Sequence, residues 1–228
     1  MDKSFVETYF NWSEVQLDAL LKASKETLYM TFVSTLFVAI IGLLIGLLLF
    51  IFSRKNTKVN RTLYTIVSVI SNTFRSIPFI ILLILLFPVA NTLFGSMIGP
   101  TSALPALILS ASPFYARMVE IAFREVDQGV IEASEAMGAS LTQIIWKVLI
   151  PESLPALISG ITVTTITMIG FTAMAGAVGA GGLGNLAYQT GYAANKYTVI
   201  TVSTVLILVL VFIVQWIGDL LVKKIDKR

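Results

Sequence analysis

Apolar runs long enough to cross a bilayer recur along this chain, separated by shorter polar stretches. A hydrocarbon core of about 30 Å takes roughly 20 consecutive apolar residues in a helix. That template fits Leu28 to Phe52, Leu63 to Phe94, Leu154 to Val178 and Tyr197 to Val222. A run from Ala103 to Phe123 is weaker, since it carries Pro105, Pro113, Arg117 and Glu120, yet without it the chain after Phe94 has no route back across. Before the first run, Phe5, Tyr9 and Trp12 recur at helical spacing, and Val6, Phe10, Leu17, Leu20 and Leu21 widen the stripe with acids between them. This predicts that residues 1–27 include an amphipathic helix lying at the membrane interface. The first apolar run lacks the short core and small-residue site of a cleaved signal, so it is expected to remain as a span. The pattern predicts an all-α membrane protein with about five transmembrane helices over residues 28–222 and a polar tail, 223–228.

Composition agrees with the pattern. The chain is 56% hydrophobic and 13% charged over 228 residues, against about 45–50% and about 25% for soluble domains. It has no cysteine and no histidine, which removes thiolate nucleophiles, imidazole bases, disulfides and the commonest zinc ligands. No metal site is expected. The net charge of +3 does not point to nucleic acid, because the basic residues gather at the ends of apolar runs, where they meet water and lipid head groups.

Those charges predict a topology. Arg54, Lys55, Lys58 and Arg61 fill the first connection, Arg124 and Lys147 sit in the third, and Lys223, Lys224, Lys227 and Arg228 end the chain. With five helices all three clusters fall on one side, and the positive-inside rule makes that side cytoplasmic. The N-terminus is then outside, the C-terminus is cytoplasmic, and residues 128–151 face the cytoplasm.

That polar segment holds the strongest motif. Gln128 to Met137 and Ser140 to Leu149 each read as a short helix, with Gly138 between them as a residue able to take positive φ at low cost. Pro151 suits the first turn of the next membrane helix, where its missing N–H costs nothing. The order Glu132, Ala133, Ser134, three residues, Gly138, nine residues, Val148, one residue, Ile150, Pro151 resembles the coupling motif of bacterial ATP-binding-cassette importer permeases, E-A-A-x-x-x-G followed by I-x-L-P. Ser134, Val148 and Ile150 depart from that pattern by small changes of volume. Asn72 to Leu83, Ala116 to Glu120 and Thr172 to Gly184 are similar to the methionine-import permeases, and the likeness covers roughly Tyr29 to Val222.

Other constellations carry less. Gly179, Gly181 and Gly184 spell G-x-G-x-x-G, but that fingerprint works after a strand and before a helix, whereas an apolar helix precedes it here. Close backbone approach near the end of the fourth span is the better reading. Gly42 and Gly46 offer a G-x-x-x-G face that could pair two copies. Arg75, just before Pro78, is either a gate or fixed charge lining the inward cavity, or an arginine at the cytoplasmic end of a span that begins at Ile77. Arg117, Glu120 and Arg124 stand at helical spacings that favour a salt-bridge network. For a substrate path, Tyr115, Met168, Phe171 and Met174, with the hydroxyls of Thr164 and Thr167, suit an apolar, polarizable side chain.

The resemblance implies a type I importer permease fold with cytoplasmic coupling helices, in the bacterial cytoplasmic membrane. It further implies a subunit that pairs with a second copy of itself, two ATPase subunits and an extracytoplasmic substrate-binding protein, importing methionine as the L- or D-isomer, or another small amino acid or osmolyte. No G-x-x-x-x-G-K-[ST] occurs in the chain, so ATP and Mg would be used by the partner and this subunit is not expected to be an enzyme. An ion-coupled carrier is the competing class; it usually places carboxylates at the midplane, and the clear spans here are nearly free of acids.

Overall fold

The computed structural model describes residues 8–54 and 57–226. Among these, the regular elements are helices: α1 Leu17–Arg54, α2 Lys58–Ser76, α3 Phe79–Phe94, α4 Pro100–Arg124, α5 Gln128–Ala136, α6 Leu141–Ile144, α7 Ile150–Ala175, α8 Gly182–Asn185 and α9 Tyr197–Ile225. Wide π-type turns fill Ile145–Leu149, Gly176–Ala180 and Leu186–Tyr192. Among the described residues four helical stretches are long and apolar enough to span a bilayer, Leu17–Arg54, Pro100–Arg124, Leu141–Ala180 and Tyr197–Ile225, and the broken pair α2 and α3 makes a fifth candidate.

Two expectations change. The N-terminal stripe is not one continuous helix over its described part: Thr8 and Tyr9 are helical, Trp12–Glu14 is a separate 3-10 turn, and Leu17, Leu20 and Leu21 are the opening turns of the 38-residue α1. The turn is tied down by the Asn11 N–H, which donates to Thr198 Oγ1 at 2.9 Å, and by Tyr9 against Tyr197, with ring centres 5.8 Å apart. Phe5 and Val6 lie outside the described residues. The run Leu63 to Phe94 is not one apolar span either, because Pro78 takes an extended ψ of 133° and separates α2 from α3. A proline disfavours helix in the residue before it.

Two compact units divide the chain. One takes residues up to Leu36, Ile77–Ser110 and Thr165–Val214. Leu82, Leu83, Met168, Ile169 and Leu183 are fully buried in it, and Phe79 stacks on Phe171 with centres 4.6 Å apart. The N-terminus of α8 is held by α1: the Gly182 N–H donates to the Glu26 carboxylate at 2.7 Å and the Leu183 N–H to Thr27 Oγ1 at 2.8 Å. A Cβ on Gly184 would run into the backbone of Ala173, and one on Gly176 into that of Asn185. The G-x-G-x-x-G is thus a site of close backbone approach.

The other unit takes Phe37–Ser76, Ala111–Thr164 and residues from Gln215. Phe50 packs on Phe123 at 5.6 Å between ring centres. Gly42 and Gly46 are used within the chain, not left for a second copy: a Cβ on Gly42 would lie 2.6 Å from the Tyr115 ring, and one on Gly46 2.5 Å from the Ala116 carbonyl oxygen. The small residues let α1 and α4 touch, which is what such motifs do between spans.

Candidate functional site

The polar segment folds as a two-part handle. Asp127 caps α5 by accepting from the Gly129 N–H at 2.6 Å. Ile131 and Ser134 form the buried face, and the Ser134 hydroxyl donates to the Val130 carbonyl at 2.8 Å, so serine replaces the motif's alanine without leaving a buried polar atom unpaired. At the other end Gly138 takes φ +82°. The Gly138 N–H donates to Glu135 O at 2.9 Å and the Ala139 N–H to Ser134 O at 3.0 Å, the bond pair of a Schellman cap. One residue later Ser140 opens α6 with a capping box: its Oγ accepts from the Gln143 N–H, and its own N–H donates to Gln143 Oε1 at 2.8 Å. Both sides of the joint are therefore closed by local chemistry.

Beyond the joint the chain stays helical from Leu141 to Ala175. Pro151 therefore does not begin a fresh helix; it lies within a continuous one. A proline there lacks the N–H and crowds the carbonyl four residues back. The π-turn at Ile145–Leu149 widens the helix just ahead of it, with the Ile150 N–H reaching Ile145 O, and Pro155 follows inside α7; π-bulges and prolines are both places where helices bend.

Among the motif residues, Glu132 and Ala133 are exposed, Ser134 is buried, Gly138 is exposed, Val148 and Ile150 are half-buried, and Pro151 is exposed. Ser134, Gly138 and Val148 line a cavity of about 390 Å³ in the crook of the handle, with Met137, Gln143 and Ile144. Large apolar side chains stand out from the same segment: Met137 is 81% exposed and Trp146 68%. Arg54, at the end of α1, pairs with Glu135 at 3.2 Å and lies 6.0 Å from the Phe50 ring centre. Sequence reasoning missed this ion pair, since nothing local relates Arg54 to Glu135. The protruding Met137 and Trp146 were readable as apolar residues in a water-compatible stretch.

The remaining residues divide. Glu120 is fully buried and accepts from Arg117 at 2.6 Å, Arg124 at 2.7 Å and the Tyr64 hydroxyl at 3.1 Å, the network the spacing predicted, with Tyr64 of α2 added. Arg75 is exposed in the last turn of α2, two residues before the break that precedes α3. The six path residues do not come together as one lining. Tyr115, Thr164 and Met168 are interior: Tyr115 donates to Leu157 O at 3.3 Å, Thr164 to Gly160 O at 2.7 Å, and the Met168 sulfur accepts from Thr35 at 3.8 Å. Their polar atoms are taken up by helix packing. Thr167, Phe171 and Met174 share one face of α7, where Thr167 and Met174 are exposed and Phe171 is half-buried.

Comparison with known proteins matches this architecture to a family. Residues 51–227, which include the whole handle, match the family model described as "Binding-protein-dependent transport system inner membrane component". The methionine import system permease protein MetP of Bacillus subtilis is 56% identical over 222 residues, 97% of this chain and 99% of that protein. A probable D-methionine transport system permease protein MetI of Pasteurella multocida is 45% identical over 217 residues, 95% of this chain and 98% of its own. A chain of the methionine ABC transporter MetNI, solved in inward-facing conformations, superposes with a TM-score of 0.89 at 46% identity, covering 92% of this chain and 98% of that one. With a family model that takes in both halves of the handle and relatives aligned nearly end to end, the chain belongs to the inner membrane components of binding-protein-dependent transport systems.

Proposed function

We propose that this chain is the transmembrane permease subunit of an ATP-driven importer that carries methionine, as the L-isomer, the D-isomer or both, inward across the bacterial cytoplasmic membrane. Two copies work together with two ATPase subunits, which use ATP and Mg, and with an extracytoplasmic binding protein that delivers the substrate. The N-terminus is outside and the C-terminus cytoplasmic, so the handle faces the ATPases. The observation that carries the reading is the handle itself. Its two halves are each capped at a joint that needs glycine, and the second half continues into α7 without a break. The named activities of the relatives support the cargo.

The mechanism follows from that geometry. ATP draws the ATPases together, the exposed apolar residues of the handle move with them, and α7 moves with α6 because one helix contains both. Swinging a two-state equilibrium from 1:99 to 99:1 takes about 5.5 kcal/mol of differential binding, so a joint that frays would dissipate the stroke. Thr167, Phe171 and Met174 belong to the substrate path on α7.

Gly138 provides the test. Its φ is +82° and a Cβ there would meet nothing within 4 Å, so substitution acts through backbone strain and through what projects toward a partner. The assembled transporter carrying Gly138→Trp should hydrolyse ATP but take up little methionine, while Gly138→Asn, which tolerates left-handed backbone, should retain most uptake. Normal uptake by the tryptophan variant overturns the coupling role.

A further inference from the structure

Helix α2 has three faces rather than two. Asn60, Tyr64, Val67, Ser71 and Phe74 turn inward and are half-buried or buried, with Tyr64 reaching Glu120. Val59, Leu63, Ile66 and Ile70 form an exposed apolar face. Arg61, Thr65, Ser68, Asn72 and Arg75, at alternating steps of four and three, form a polar face on the third side, exposed except for the half-buried Ser68. Thr62, Thr73 and Ser76 extend it, and Val69 is the apolar side chain among them. The stripe runs about 21 Å along the helix axis from Arg61 to Arg75 at 1.5 Å per residue.

The hydroxyls on this face need no outside partner. Thr62, Thr65, Thr73 and Ser76 donate to the carbonyls of Lys58, Arg61, Val69 and Asn72 at 3.0, 2.9, 2.8 and 2.8 Å. The arginines differ: among the described residues neither Arg61 nor Arg75 forms an ion pair. Helix α2 is one half of a bent pair that is apolar enough to span only together with α3, and a cation at membrane depth must face water, an anion or protein acceptors. A second copy of α2 does not supply the anion, because residues 58–76 contain Lys58, Arg61 and Arg75 and no Asp or Glu. Hydrocarbon suits the adjacent face of Val59, Leu63, Ile66 and Ile70.

We propose that the polar face of α2, Arg61, Thr65, Ser68, Asn72 and Arg75, lines the water-filled path through which the substrate crosses, and that the Val59, Leu63, Ile66 and Ile70 face meets lipid. The two arginines offer fixed positive charge to the carboxylate of a passing amino acid. The cargo rests on the importer reading; the division between water and lipid does not.

The chain contains no cysteine, so a thiol placed in it is unique to it, and labelling is read on this subunit after separation from its partners. Thr65→Cys and Asn72→Cys on the polar face, and Ile66→Cys and Ile70→Cys on the apolar one, are made in the assembled transporter in nanodiscs and treated with a charged methanethiosulfonate reagent. Thiolate formation and access control the rate, so the polar-face thiols should react about ten-fold faster or more. In proteoliposomes carrying the same complex, the sulfonate attached at Asn72→Cys should depress methionine uptake, and at Ile70→Cys should leave it unchanged. Equal labelling on both faces overturns the proposal. So do polar-face thiols that resist the reagent but oxidise to a disulfide between two copies, since that face is then buried against its twin. If the unsubstituted complex takes up no methionine while the labelling difference stands, the importer reading falls and the water-facing stripe remains.

Discussion

Two regions interrupt helices with glycines at positive φ, and they do so for opposite reasons. In the handle, Gly138 sits at +82° in open space, and the bonds that close the joint come from residues no more than five positions away. In the segment after α7, Gly181 and Gly182 take +80° and +78° in a crowded setting against Glu26 and Thr27, which accept from the Gly182 and Leu183 N–H groups across 156 positions of sequence. The first is closed by bonds within its own turn; the second depends on groups of a distant helix. A joint of the first kind can be loosened by itself, whereas one of the second kind takes its neighbours with it.

The sharpest way to break that contrast is Gly184→Ala. The added methyl would meet the Ala173 backbone, which cannot step aside as a side chain would. Overpacking of this kind costs about 1–3 kcal/mol or more, and thermal unfolding of the purified chain in detergent should show a clear fall in melting temperature. An unchanged melting point would mean that the glycine segment is looser than its packing implies. Thr27→Val comes next. It keeps the shape of a side chain that is 2% exposed while removing the acceptor for the buried Leu183 N–H. An orphaned buried donor costs about 1–3 kcal/mol, and hydrogen exchange should quicken at Gly182 and Leu183 first. The smallest effect is expected from Ser140→Ala, which deletes the capping box at about 1 kcal/mol. Exchange should quicken from Ala139 to Ile144 while the melting temperature hardly moves. A global loss of stability in that variant would erase the distinction between the two regions.

The same contrast explains what the sequence disclosed. The handle was legible because its instructions are short-range: Gly138 and Ser140 mark a stop and a start two positions apart, and the spacing to Pro151 is linear. The salt bridges of Glu120 were legible for the same reason, being one helix turn long. The N-terminal stripe misled because Leu17, Leu20 and Leu21 carry the same periodicity whether they open a spanning helix or lie flat on a membrane. The contacts of Tyr9 with Tyr197 and of Asn11 with Thr198, both far off in sequence, hold the turn that precedes the helix. Tyr115, Thr164 and Met168 misled because a polar or polarizable atom in a span looks available until its partner carbonyl or hydroxyl is located. Gly42 and Gly46 announced a close helix contact but not its owner, which is α4 of the same chain. What α2 lacked in the sequence view was division: read as part of one apolar run with α3, its polar third was averaged away.

The swollen turn at Ile145–Leu149 has a consequence for timing. A proline at Pro151 in a tight helix would invite a hinge between foot and shaft, and a hinge lets one end begin to turn before the other. Pro155 lies about one turn further on, inside α7, and prolines and π-bulges are both points where helices bend. The shaft therefore has yielding points of its own beyond the joint at Gly138, and under the proposed coupling a push on the foot would reach the shaft with a lag.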